Sequence, residues 1–170
     1  MGDYYLLRGT DMQCPRIDLT TTPKINANTN DYEAYKVLTG DFIIVRSGAI
    51  GRYGIVMNNT PKSIFGSYLI NFRFNELLDA QYFGYFYQSQ LAITQIKSIT
   101  QGGGNLNINA ENIKSLKILL PPTREEQTRI ATILFDMDAE ITTLEQKLSK
   151  YKMLKQGMMQ ELLTGKIRLI

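Results

Sequence analysis

The sequence predicts an α+β protein in two parts: a strand-rich domain over residues 1–120, followed over 121–170 by one long coiled-coil-forming helix and a short tail. Three observations predict it. Up to Leu120 the chain alternates short β-prone runs with Gly, Pro and Asn punctuation. After Pro121-Pro122 a sustained apolar pattern at steps of four and three takes over. Gly165 then follows Leu162-Leu163-Thr164, at the place where a left-handed residue stops a helix.

Asp3-Tyr4-Tyr5-Leu6-Leu7-Arg8-Gly9 is a short β-prone run stopped by glycine. Thr10 to Asn30 is polar, contains Pro15 and Pro23, and reads as a surface loop with a short strand at Arg16 to Leu19. Tyr32 to Leu38 fits more than one element. Thr39-Gly40-Asp41 is a turn, and Phe42-Ile43-Ile44-Val45 is a buried strand. A turn through Arg46 to Arg52 leads to a second strand, Tyr53 to Met57, which Asn58-Asn59-Thr60-Pro61 ends. Ser63 to Phe74 alternates as a third main strand.

From Asn75 the period becomes helical. Leu78, Tyr82, Phe83 and Phe86 fit a helix capped at Asn75 or Asp79, and Leu91 to Ile99 fits a second short helix. The aromatic run Tyr82-Phe83-Gly84-Tyr85-Phe86-Tyr87 reads as core and sheet-covering surface, with base stacking the lesser alternative. Gln101-Gly102-Gly103-Gly104-Asn105 is an extreme turn. A short turn at Asn109 to Ile113 and a last strand, Leu116 to Leu120, deliver the chain to Pro121.

The long helix has a marked start. Two prolines block helix upstream, Thr123 can cap, and Glu126 three residues on completes a capping-box pattern. Its seam is Ile130, Leu134, Met137, Ile141, Leu144, Leu148, Tyr151, Lys155, Met158 and Leu162, in which Lys155 alone breaks the apolar rule. Gly157 weakens the final turns. At about 1.5 Å per residue the helix from Thr123 to Leu163 is about 60 Å long, more than a small domain can bury, so part of the seam must meet another helix.

Charge along this helix is polarised. Arg124 and Arg129 face Glu125, Glu126, Asp136, Asp138, Glu140 and Glu145 in the first half; in the second, Lys147, Lys150, Lys152, Lys155, Lys166 and Arg168 outweigh Glu161. That polarity suits the helix macrodipole. It also favours antiparallel pairing with an identical or similar helix, since each acidic half then faces a basic one.

Composition narrows the function classes. The chain has no histidine, which removes the usual general base and the commonest metal ligand, so catalysis and a metal site are not expected. Cys14 is alone, which excludes an internal disulfide and fits a small, partly buried residue. No run is long and apolar enough to span a bilayer, and Met1-Gly2-Asp3 does not begin a secretory leader, so a cytoplasmic location without membrane contact is expected. The formal net charge of +3 is too mild to announce a nucleic-acid protein by itself.

Gly102-Gly103-Gly104 lacks the Gly-Lys-Ser/Thr that a phosphate loop needs, and no cofactor is expected. Glu145-Gln146-Lys147 lies on the helix with no sheet to arrange acidic ligands around it. Arg46-Ser47-Gly48 and Gly51-Arg52-Tyr53 carry more. A strand end and a tight turn there present two guanidinium groups, a hydroxyl and a phenol, and arginine can grip a guanine edge or a phosphate in a two-pronged fork. The same spacing also fits two surface arginines beside a turn. Arg8, Gln101, Asn105 and Asn107 add cationic and amide groups at other loop ends.

The chain resembles the specificity subunit of type I restriction-modification systems. The resemblance is carried by Leu38-Thr39-Gly40-Asp41-Phe42-Ile43-Ile44-Val45-Arg46-Ser47-Gly48-Ala49-Ile50-Gly51, by Leu119 to Ala131 through Pro121-Pro122-Thr123-Arg124-Glu125-Glu126, and by the tail Met158 to Arg168. Gly102-Gly103-Gly104 followed by Leu106 and by Ile113 to Pro122 also fits. Members commonly carry two target-recognition domains and two helices. This chain has room for one of each, so the resemblance implies a half-subunit, natural or truncated, whose recognition domain lacks an N-terminal segment.

The resemblance implies a non-catalytic reader of double-stranded DNA. Residues 1–120 would read one half of a bipartite target through Arg8, Arg46, Ser47, Arg52, Tyr53, Gln101, Asn105 and Asn107. The helix would space two readers and dock methyltransferase (modification) subunits, with restriction subunits joining the same assembly. A homodimer with antiparallel helices, joined through Ile130, Leu134, Met137, Ile141, Leu144, Leu148, Tyr151, Met158 and Leu162, would read a two-fold-symmetric split site. The rival expectation is a non-enzymatic coiled-coil module whose α+β head binds protein.

Overall fold

The computed structural model describes residues 2–48, 51–99 and 107–169. It is α+β, and it divides into two compact units, Met1–Ala131 and Thr132–Ile170. The first unit contains, in order, β1 (Tyr4–Leu7), β2 (Met12–Gln13), β3 (Arg16–Ile17), β4 (Lys24–Ile25), α1 (Thr29–Tyr35), β5 (Phe42–Val45), β6 (Tyr53–Ile55), β7 (Ser63–Phe65), β8 (Leu69–Phe72), α2 (Ala80–Gln88), α3 (Gln90–Ile99) and α4 (Ala110–Lys114). The helix α5 (Arg124–Leu163) begins in the first unit and forms most of the second.

β5 is the central strand of an antiparallel β6-β5-β8 sheet, with Ile44 opposite Tyr53 on one side and Ile70 on the other. Side chains alternate across a strand, so an apolar residue at every position means that both faces are covered. Phe42 and Ile44 pack with Tyr53, Phe83, Tyr87, Ile96 and Ile108, under α2, α3 and the chain before α4. Ile43 and Val45 point the other way, into a second cluster with Leu7, Met12, Val37, Val56 and Leu69. That cluster underlies a second sheet, β4-β1-β7, in which β1 runs antiparallel to β4 and parallel to β7.

The aromatic run is divided: Phe83 and Tyr87 are core, and Tyr82, Tyr85 and Phe86 are half-buried. Asp79 caps α2, its Oδ1 accepting from the Gln81 and Tyr82 amides at 2.9 Å each, and this choice of cap turns Phe83 and Tyr87 inward. Phe42 stacks on Tyr53 with centroids 4.7 Å apart and meets Phe83 edge-on at 5.2 Å. Gly84 makes room: a Cβ there would lie 2.5 Å from the Tyr53 ring.

Several expectations are corrected or resolved. Ser63 to Phe74 is two strands in different sheets, because the chain turns at Gly66, Ser67 and Tyr68, with the Leu69 amide donating to the Gly66 carbonyl at 3.0 Å. Leu116 to Leu120 is no strand. The side-chain amide of Gln95 takes a neighbouring strand's place, donating to the Lys117 carbonyl (2.9 Å) and accepting from its amide (2.8 Å). Tyr32 to Leu38 resolves into the end of α1, capped by Asn28, and an isolated bridge between Lys36 and Ile64. The loop over Thr10 to Asn30 holds three two-residue strands, of which β2 and β3 form a hairpin. The glycine-rich turn at Gln101 to Asn105 lies outside the described residues.

α5 starts as the sequence indicates, with the Thr123 hydroxyl accepting from the Glu126 amide at 3.2 Å, and the residue past its end, Gly165, has φ +72. It runs unbroken through Gly157. Its first turns are anchored by Gln127, which is only 2% exposed. The Gln127 Oε1 accepts from the Asp79 amide (2.9 Å) and its Nε2 donates to the Leu77 carbonyl (3.0 Å). Arg124 adds a bond to the Glu76 carbonyl and Thr128 one to Asp79 Oδ2. Beyond Ala131, Met137, Ile141, Leu144, Leu148 and Tyr151 are each more than half exposed.

Two stability outcomes follow. Gly84→Ala overpacks Tyr53 and lowers stability by about 1–3 kcal/mol, read as a lower urea midpoint at unchanged slope. Gln127→Ala leaves the Asp79 amide and Leu77 carbonyl without partners in a buried place and costs about 2–3 kcal/mol in the same measurement. A midpoint equal to the parent's for either variant contradicts the packing described.

Candidate functional site

One end of the β6-β5-β8 sheet gathers residues that are far apart in sequence. β5 continues past Val45, whose amide donates to the Arg52 carbonyl at 3.1 Å, so Arg52 stands across from the end of β5. Arg46 is then held on both main-chain sides. Its amide donates to the Tyr68 carbonyl (3.0 Å) and its carbonyl accepts from the Ile108 amide (2.7 Å). Ser47 and Asn107 form an antiparallel bridge. The Arg46 Nε donates to Asn107 Oδ1 at 3.2 Å, closing a side-chain contact across 61 residues.

Of the residues the sequence singles out, Arg46, Ser47 and Asn107 therefore meet, and Arg52 lies on the neighbouring strand end. Arg52 is exposed and lines a surface cavity of about 400 Å³ with Met12, Gln13, Cys14, Gly51, Gln88 and Ile93. Gly48 and Gly51 flank this turn at φ +84 and +88, a left-handed backbone that glycine adopts without strain.

Tyr53 does not join them. It is 1% exposed, its ring stacked on Phe42 and fitted against Gly84, so it holds β6 to the helices and presents no phenol at the surface. Its place as an exposed aromatic is taken by Tyr68, which is 70% exposed and hydrogen-bonded through its carbonyl to Arg46. The sequence places Tyr68 inside a single strand, Ser63 to Phe74. The signal against that was Gly66-Ser67, a turn pair inside the alternating run.

Arg8 is committed elsewhere. Its Nη2 donates to Asp11 Oδ1 (2.8 Å) and to the Thr21 carbonyl (2.8 Å), and its Nε reaches Asp11 Oδ2 (3.3 Å). Asp11 is buried, and its hydrogen bond raises the Arg8 pKa further above the usual guanidinium value. Gln101 and Asn105 lie outside the described residues. Burial pushes the Cys14 thiol pKa up; the sulfur accepts from the Tyr53 amide at 3.3 Å and faces the Gly51 carbonyl at 3.7 Å, which makes it a structural residue of the turn.

The arrangement is a partly exposed guanidinium oriented by an amide, with a hydroxyl, a phenol and a second guanidinium nearby. Such a set can donate to acceptors on base edges or phosphates. Among the described residues no cluster of His, Cys, Asp or Glu could hold a metal ion, and no helix is long and apolar enough to cross a membrane.

Comparison with known proteins places the chain in a family. The model for the type I restriction modification DNA specificity domain matches residues 9–151. The type I restriction enzyme MjaVIII specificity subunit of Methanocaldococcus jannaschii is 37% identical over 90 residues, covering 53% of this chain and 20% of that protein. In structure, a chain described under the assembly and conformational transition of the type I R-M system superposes with a TM-score of 0.70 at 17% identity, covering 95% of this chain and 38% of its own. The HsdS subunit from Thermoanaerobacter tengcongensis superposes at 0.62 and 17% identity, over 94% of this chain and 40% of its own. This chain thus spans a fifth to two-fifths of the length of these proteins. A family model that runs from the 3-10 turn after β1 into the second half of α5, together with the shared fold, shows that the chain belongs to the type I restriction modification DNA specificity domain family.

Proposed function

We propose that the chain is a non-catalytic, sequence-specific DNA reader of a type I restriction-modification complex, with one recognition domain before Pro121 and one spacer helix after it. The observation that carries this reading is the convergence of Arg46, Ser47 and Asn107 on one sheet end, with Arg52 and exposed Tyr68 beside them. Donors grouped on a rigid sheet end suit base edges and phosphates in a groove. The reader would take one half of a bipartite target on double-stranded DNA.

The second part of the reading concerns α5. A stripe in which Met137, Ile141, Leu144, Leu148 and Tyr151 are all more than half exposed is larger than a monomer usually leaves to water, and it recurs at coiled-coil spacing. Its acidic first half and basic second half favour an antiparallel mate, here a second copy of the chain, which would give a two-fold-symmetric split target. Modification (methyltransferase) subunits would dock on the paired helices and restriction subunits would enter through that assembly. The same exposed stripe supports a second reading, a coiled-coil module whose head binds protein.

Salt separates the two. A DNA reader loses affinity linearly in log–log form as salt rises, with a slope of about −0.9 per neutralised phosphate, whereas a protein adaptor binds no duplex. Arg46→Ala and Arg52→Ala each weaken binding to the selected duplex by about 1–3 kcal/mol without moving the urea midpoint. Unchanged affinity in both removes this sheet end from the site. Methylome sequencing of cells expressing the chain with its methyltransferase partner returns a split, two-fold-symmetric motif and its spacer. Sedimentation gives a dimer at micromolar concentration; a monomer with an asymmetric motif contradicts the antiparallel homodimer.

A further inference from the structure

Arg46 has its donors divided by the fold. A guanidinium offers two double-donor edges: a side edge made by Nε and one Nη, and an end edge made by the two Nη groups. Asn107 Oδ1 occupies Nε at 3.2 Å, which takes the side edge out of use. Among the described residues nothing engages the two Nη groups of Arg46. Both residues are fixed where they leave the backbone: Arg46 between Tyr68 and Ile108, Asn107 by its bridge to Ser47. An Nε–H can face only the oxygen of an amide, so the Asn107 carboxamide is also fixed in sense, with its oxygen turned to Arg46 and its Nδ2 turned away.

We propose that Asn107 is a positioning residue and not a base reader, and that it sets the end edge of Arg46 to take the O6 and N7 acceptors of a guanine in the target half-site. The inference rests on the DNA-reading function proposed above. Two adjacent acceptors match the two Nη donors, whereas adenine presents an acceptor beside a donor and cytosine a donor alone. The Asn107 oxygen keeps a second lone pair, so a direct asparagine–adenine contact is the competing outcome, and it shows as an altered preference at a different position. Phosphate also offers paired acceptors to Arg46, and base preference tells the two apart.

The test carries the full-length chain and its Arg46→Ala, Asn107→Ala and Asn107→Asp variants through selection of bound duplexes from a random-sequence double-stranded DNA library, with urea midpoints checked for each. The parent selects a motif containing a guanine whose preference is lost in Arg46→Ala. Replacing that guanine by 7-deazaguanine weakens the parent about tenfold and leaves Arg46→Ala almost unaffected. Asn107→Ala relaxes preference at the same position by about tenfold. Asn107→Asp keeps an acceptor for Nε, so it binds more weakly everywhere from its added charge while its preference for that guanine returns. The inference is overturned if Asn107→Ala keeps full preference there, if it alters a different position, or if Arg46→Ala weakens all sequences equally. A parent that enriches no sequence at all overturns the DNA-reading function, and this inference with it.

Discussion

The burial of β5 on both faces is the constraint from which the rest of the first unit follows. Four consecutive apolar residues in an antiparallel strand cannot leave one face to water, so each face must be roofed. Phe42 and Ile44 require the two-helix cover of α2 and α3, and Ile43 and Val45 require the second sheet built on β1 and β7. The unusual topology, with the run from Ser63 to Phe72 divided between two sheets, is the solution. One half of that run covers the far face while the other pairs with β5 itself.

That same strand stiffens the candidate site. Arg46 is the first residue after Val45, so its Cα inherits the rigidity of a strand clamped between two cores, and neighbours from three separate segments complete the setting. Tyr53 has a matching role from below: its ring, locked by Phe42 and Gly84, fixes the strand that carries Arg52. A core tyrosine and a surface arginine one residue apart thus divide the labour of holding and presenting. Arg8, by contrast, is drawn into a turn by buried Asp11, where its charge satisfies a carboxylate the fold has taken out of water.

Local signals made much of this legible. Phe42 to Val45 reads as buried because it is apolar at every position, Thr123 announces a helix start by capping chemistry, Asp79 is one of two candidate caps for α2, and the heptad from Ile130 onward needs no tertiary knowledge. What escaped depends on contacts distant in sequence. Leu116 to Leu120 has strand composition, yet its would-be ladder partner is a side chain on α3, which no periodicity reveals. The meeting of Arg46 with Asn107 is invisible for the same reason, and Tyr53 looked available only because alternation does not say which face is covered twice. Gln127 carries only a faint local signal. The hint was its phase, seven residues before Leu134 on the seam, where a polar group needs buried partners.

Those partners of Gln127 have a further consequence. Both are main-chain groups, the carbonyl of Leu77 and the amide of Asp79, which every non-proline sequence supplies. The Gln127 part of the joint therefore recognises a backbone shape, whereas Thr128 reads a side chain, that of Asp79. No sheet ladder crosses Leu116 to Pro122 either. Side chains in the turn from Leu77 to Asp79 can therefore change without removing the two Gln127 bonds, so long as the turn keeps its main-chain course. The coupling is built like a standard fitting, gauged to the course of the main chain.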